Sequence, residues 1–131
     1  MGTRSTIALE FADGTVEQVY CHWDGYLENN GVILSQHYMN PFKVKELVGL
    51  GGFSSLRPTI DETAESAYTQ RGEDISVEKF KNFADYVANH QYEEYEYILR
   101  QVDGKAVWFV ADHSERYIPL TVALESVKET A

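Results

Sequence analysis

A single cysteine, Cys21, in 131 residues rules out an internal disulfide, and the sequence has only three prolines and no run of about twenty apolar residues able to cross a membrane as a helix. Basic residues are scarce as well. Eleven Lys and Arg stand against twenty-one Asp and Glu, a formal net charge of −10 and a pI near 4.7. Such a chain repels a phosphate backbone, and its basic groupings amount to Lys43 with Lys45 and the scattered arginines Arg4, Arg57, Arg71, Arg100 and Arg116. Direct nucleic-acid binding is therefore not expected. There is no repeat, no low-complexity tract and no dividing linker, so a single domain over residues 1–131 is expected. No stretch has the pattern of a leader peptide, and with one cysteine a reducing cytoplasm is the expected compartment. No cofactor motif, metal-ligand spacing or catalytic signature is complete, and neither a cofactor, a metal nor a catalytic residue is expected.

What the chain does have is apolar and aromatic material, 44% and 13% of residues, enough to offset the ordering entropy of a globular core. Residues Thr6–Phe11 alternate with Ile7, Leu9 and Phe11 on one face, Asp13-Gly14 is a turn, and Thr15–His22 follows as a second strand. A second hairpin runs from Tyr95–Val102 through Asp103-Gly104 to Ala106–Ala111. Between them, helices are predicted over Gly31–Tyr38, from Pro41 with Asn40 as cap, from Thr59 with Glu62 through about Tyr68, and from a Ser76 cap to about His90 on the spacing of Val77, Phe80, Phe83, Ala84 and Val87. Pro119 opens a terminal helix in which Leu120, Ala123, Leu124 and Val127 recur. The expected fold is α+β, an antiparallel sheet of two hairpins with helices packed on one face.

The densest chemistry is the run Tyr20-Cys21-His22-Trp23-Asp24-Gly25-Tyr26 at the end of the second strand. Alternation puts Cys21 with Val19 toward the core, as a small buried hydrophobe, and Tyr20 with His22 on the other face. Asp24-Gly25 has turn composition, and Trp23 and Tyr26 offer flat contact area. Asp112-His113-Ser114 follows the last strand as His22-Trp23-Asp24 follows the second, so strand direction brings both loops to one end of the sheet, with Arg4 and Arg116 nearby. The candidate ligand- or partner-binding residues are Arg4, His22, Trp23, Asp24, Tyr26, Asp112, His113 and Arg116. A second candidate surface is Glu93, Glu94 and Glu96 in the acidic, tyrosine-rich run before and into the third long strand, where spaced carboxylates imitate a phosphate track. Alternation also reads that run as an ordinary half-buried strand, with Glu94 and Glu96 opposite Tyr95 and Tyr97.

The opening Gly2-Thr3-Arg4-Ser5-Thr6-Ile7, the Tyr20–Tyr26 run with Asn30-Gly31, the Val44, Leu47, Leu50-Gly51 segment, and Val110-Ala111-Asp112-His113 with Pro119-Leu120-Thr121 resemble a family of small accessory proteins common in bacteriophages and mobile elements. The resemblance implies expression in a bacterial host cytoplasm. By analogy with other phage accessory proteins, it implies a counter-defence inhibitor that binds a host immune or nucleic-acid-processing protein through acidic and aromatic surface. Two alternatives stand beside it. One is a small-ligand sponge for a nucleotide signal, with Trp23 or Tyr26 stacking and Arg4 or Arg116 pairing with phosphate. The other is a small hydrolase using His22 with Asp24 or Asp112. Oligomeric state is open.

Overall fold

The computed structural model describes residues 3–90, 93–112 and 116–130. Six strands, β1 (Ser5–Glu10), β2 (Val16–Cys21), β3 (Glu78–Phe80), β4 (Tyr95–Val102), β5 (Lys105–Ala111) and β6 (Ile118–Pro119), form one sheet in the order β3-β2-β1-β4-β5-β6. Both expected hairpins are present. In the second, Asp103 and Gly104 both take positive φ, 51° and 79°, the turn geometry whose twist matches the flanking strands.

The sheet is mixed rather than antiparallel throughout. The hairpins join through β1 and β4, which run parallel from Ser5↔Tyr95 to Leu9↔Leu99. The cause lies in a segment that the spacing predicts as one long helix from Ser76. Phe80 instead pairs with Val16 as the end of edge strand β3, and Asn82 caps a shorter helix, α4 (Phe83–Asn89), by accepting from the Asp85 amide at 2.8 Å. Strand β3 runs the same way as β1, and α4 carries the chain back, so β4 enters parallel to β1.

The helices are α1 (Val32–His37), α2 (Pro41–Gly49), α3 (Ile60–Ala64), α4 and α5 (Leu120–Thr130). Asn40 and Thr59 cap α2 and α3 as their side chains predict, but α3 ends after five residues and a 3₁₀ turn at Tyr68–Arg71 follows. The helices do not share one face. Ile7, Leu9, Val19, Cys21, Tyr97, Leu99, Trp108 and Val110 meet residues of α1, α2 and α5 on the first face. On the second, Ala8, Val16, Phe80 and Ile98 pack against Tyr86 of α4, with Phe83, Val87, Phe109 and Tyr117 around them. Each fully buried large side chain contributes about 1.5–3 kcal/mol. Polar tips are satisfied in the main core: the Trp108 indole donates to the Tyr38 carbonyl at 2.9 Å, and the Tyr38 hydroxyl to the Arg57 carbonyl at 2.7 Å. Because both faces are covered, a polar side chain on either one is buried unless it lies where the cover stops.

Candidate functional site

Three connections start from the end of β2. Beyond Cys21 the chain runs beside the connector before α3: the His22 and Trp23 amides donate to the Phe53 and Ser54 carbonyls at 3.2 and 2.8 Å, and the Phe53 amide donates to the Tyr20 carbonyl at 3.0 Å. The Tyr20–Tyr26 run therefore divides three ways. Cys21 is fully buried on the first face, where Asn30, also fully buried, donates to the Ser5 hydroxyl at 3.1 Å and to Cys21 Sγ at 3.5 Å. Burial pushes the Cys21 thiol above its usual pKa against the pull of the Asn30 amide. A thiol-specific chromogenic reagent is expected to modify Cys21 only at the rate of global opening; rapid modification of the folded protein would show this packing to be wrong.

Asp24 takes φ of 57° and leads into Gly25, whose amide donates to the Thr3 carbonyl at 2.8 Å and whose carbonyl accepts from the Tyr97 hydroxyl at 2.6 Å. Tyr26 opens a single π-helical turn, Leu27–Gly31, that runs into α1. Trp23 and Tyr26 stay exposed, and the Trp23 indole stands edge-on to the His22 ring with centroids 4.5 Å apart.

The remaining part turns to the second face. Tyr20 hydroxyl and His22 Nδ1 are hydrogen bonded at 2.7 Å. Beside them a cleft of about 450 Å³ opens between β1, β2 and β3, with Arg4, Tyr20, Tyr68, Glu78 and Glu93 on its walls and Thr6 and Gln18 below. Gln18 and Glu78 are register partners on neighbouring strands, as are Thr6 and Tyr20. Glu93 is pushed above the usual carboxylate range by burial, opposed by the charges of Arg4 and His22, so these groups share one electrostatic neighbourhood. Burial likewise raises the Tyr20 and Tyr68 phenols. Tyr68 is held from below by Gly52, where a Cβ would approach the ring to 3.0 Å, and the Arg71 guanidinium lies 4.6 Å from its centroid.

Thr6 and Gln18 are each 2% exposed, and Gln18 Oε1 has no hydrogen-bond partner among the described residues, whereas the Thr6 hydroxyl lies against the buried Tyr86 hydroxyl. Buried polar atoms are nearly always paired, and leaving one unpaired costs about 1–3 kcal/mol.

The expected convergence of the two loops is partial. The ends of β2 and β5 do lie at one end of the sheet, with β1 and β4 between them, a separation of about 14 Å at the usual strand spacing. Asp112 and Arg116 line a different cleft of about 490 Å³, against Tyr95, Ile118 and α5, while Arg4, His22 and Glu93 gather on the second face. His113 lies outside the described residues. Among the described residues no group of three or more His, Cys, Asp and Glu is placed to hold a metal.

The acidic surface is corrected most sharply at Glu96. It is 1% exposed, because α4 covers the face to which alternation assigns it, and its carboxylate bonds to His90 Nε2, while His90 Nδ1 meets the Tyr86 carbonyl. Glu94 is half-buried and Glu93 borders the cleft. Sequence reasoning missed Thr6, Gln18, Tyr68 and Glu78 as site residues. The placement of Gln18 between Val16 and Tyr20 on one face of the strand was a readable signal, since a polar residue flanked by apolar and aromatic side chains asks for a partner; Tyr68 had none, coming from a segment without periodicity. No helix among the described residues is long and apolar enough to cross a membrane. Comparison of the chain with protein-family models, with curated proteins and with solved structures gives no match.

Proposed function

We propose that this protein is a small-ligand binding protein that sequesters a nucleotide-class molecule in the cleft between β1, β2 and β3, as a phage accessory protein acting in the host cytoplasm. The observation that carries the reading is the buried, unpartnered Oε1 of Gln18 beneath an open polar cleft. A ligand that pairs with it recovers the cost of burying it, which is a source of affinity that a filled core lacks. Arg4 offers a cation for an acidic group, and Tyr20 and Tyr68 offer ring faces, in place of the Trp23, Tyr26 and Arg116 that the sequence suggests.

Capture of a host defence or nucleic-acid-processing protein remains the second reading. Exposed Trp23 and Tyr26 on one turn support it, and the burial of Glu96 takes away part of its acidic surface. The hydrolase reading has less support, because the bond observed at His22 Nδ1 is to the Tyr20 phenol rather than to a carboxylate.

Isothermal calorimetry against a panel of nucleotides and other small polar metabolites tests the cleft. At least one member is expected to bind, to raise the melting temperature by an amount equivalent to about 2.7 kcal/mol at a hundredfold excess over Kd, and to lose affinity in Arg4→Ala. If nothing on the panel binds, or if Arg4→Ala and Tyr68→Ala both leave the affinity unchanged, the reading fails.

A further inference from the structure

Resting on that cleft reading, we infer that the ligand is a nucleoside monophosphate whose base carries an exocyclic amino group, read by Gln18 on the floor and Glu78 on the wall while Arg4 takes the phosphate. The argument starts from the inventory of donors and acceptors. Gln18 Oε1 is a buried acceptor without a partner, and its cross-strand neighbour Glu78 and the wall residue Glu93 add carboxylates, which when ionised are acceptors only. Rotating the Gln18 amide exchanges one acceptor for a donor, but the two carboxylates are unchanged by it. Among the described residues lining the cleft only Arg4 and Gln18 carry side-chain N–H groups, the other donors being hydroxyls of Thr6, Tyr20, Tyr68 and Ser76, and an amino group on the ligand supplies two more N–H donors for the carboxylates.

Charge limits the acidic end. Among the described residues Arg4 is the one cationic side chain lining the cleft, against two carboxylates, in a chain of net charge −10. One phosphate matches one guanidinium; each further phosphate brings charge toward Glu78 and Glu93, and the Arg71 guanidinium on the Tyr68 ring is already paired with Glu73. Shape points to a flat ring. The Tyr20 and Tyr68 rings lie 6.4 Å apart at 33°, forming an aromatic wall, and Tyr68 is braced by Gly52 and Arg71 so that its ring is placed before a ligand arrives. A volume of about 450 Å³ lies within the range of sites that enclose one small molecule.

The test compares matched pairs by calorimetry on the full chain: adenosine with inosine monophosphate, cytidine with uridine monophosphate, and adenosine mono- with triphosphate. The amino-bearing member of at least one pair is expected to bind about tenfold or more tightly than its oxo counterpart, because the oxo group would face unpaired acceptors. The monophosphate is expected to bind more tightly than the triphosphate. Gln18→Met removes the acceptor at similar volume and is expected to abolish the amino preference, while Arg4→Gln, at an exposed side chain, weakens all monophosphates alike. Should Gln18→Met fail to fold, the wild-type pairs still decide the matter. Equal or reversed preference overturns the amino inference and leaves the cleft reading standing. Binding of a non-nucleotide that is lost in Arg4→Gln overturns the nucleotide class alone, and silence from every compound overturns both.

Discussion

Replacing Glu96 with alanine lowers the melting temperature by about 10 °C or more, the largest effect expected of any single substitution on the second face. The reason is that Glu96 and His90 are a buried pair with little water to fall back on: the two residues are 1% and 3% exposed. His90 is further enclosed by the Tyr86 ring stacked on it at 4.3 Å and by the Tyr117 hydroxyl 3.4 Å from Nε2. Removing the Glu96 carboxylate leaves the His90 imidazole buried without its counter-charge, which costs about 3–5 kcal/mol, and a domain of this size loses several degrees per kcal/mol.

The pair also sets a pH dependence whose sign can be worked out. Burial disfavours the imidazolium, but the hydrogen bond and charge of Glu96, the Tyr86 carbonyl and the charge of Glu78 outweigh it, so His90 titrates above the usual histidine value. A group whose pKa is raised on folding stabilises the folded state fully below its unfolded value, about 6.5, and that contribution is lost as pH rises through the folded value. Wild-type stability from this source therefore declines as pH rises past about 6.5. In Glu96→Ala the hydrogen bond and charge of Glu96 are gone, leaving the Tyr86 carbonyl and Glu78 against burial, and the decline with rising pH is expected to flatten or invert. Calorimetric melting from about pH 5 to 9 reads both effects. A variant that melts within about 2 °C of wild type, or that keeps the wild-type slope, would remove the pair from any structural role.

The second large effect is at Gly25. An added Cβ there would stand 2.6 Å from Ser5 Cβ and 2.9 Å from the Thr3 carbonyl oxygen, and neither atom is the loose end of a flexible side chain. Alanine must push the turn away from the start of β1, weakening the Gly25 amide bond to Thr3 and the Tyr97 hydroxyl bond to the Gly25 carbonyl. Overpacking together with these bonds amounts to about 2–4 kcal/mol of lost stability in denaturant unfolding. Tyr97→Phe, which removes one of the bonds without the clash, is expected to cost only about 1 kcal/mol. If Gly25→Ala unfolds at the wild-type denaturant concentration, the turn is looser than this contact describes. Gly25 and Asn30, with Ser5 and Cys21, thus account for much of the Tyr20–Tyr26 motif as architecture: they fasten the loop after β2 to the first residues of β1.

How far the residues alone carried the reading varies from element to element. The hairpins, the Asn40 and Thr59 caps, the inward Cys21 and the terminal helix were all legible, because turn chemistry, capping and alternation act over a few neighbouring residues. The segment from Ser76 to His90 misled for a physical reason. Val77, Phe80, Phe83 and Val87 satisfy helical spacing, but Phe80 gains more by pairing opposite Val16 and closing over the second face than by extending a helix whose own cap is available at Asn82. The parallel pairing of β1 with β4, about ninety residues apart, is a long-range choice with no local mark in either strand.

The same division holds at the candidate site. Alternation alone determined which residues share a face: Thr6, Gln18 and Tyr20 turn away from Ile7, Val19 and Cys21, and Glu96 turns away from Tyr97. What those faces meet depends on where the helices pack. That α4 buries Glu96 against His90, and that Tyr68 stands beside Tyr20 as a wall of the cleft over Gln18, came from packing, since both arise from contacts between segments that the chain order keeps apart.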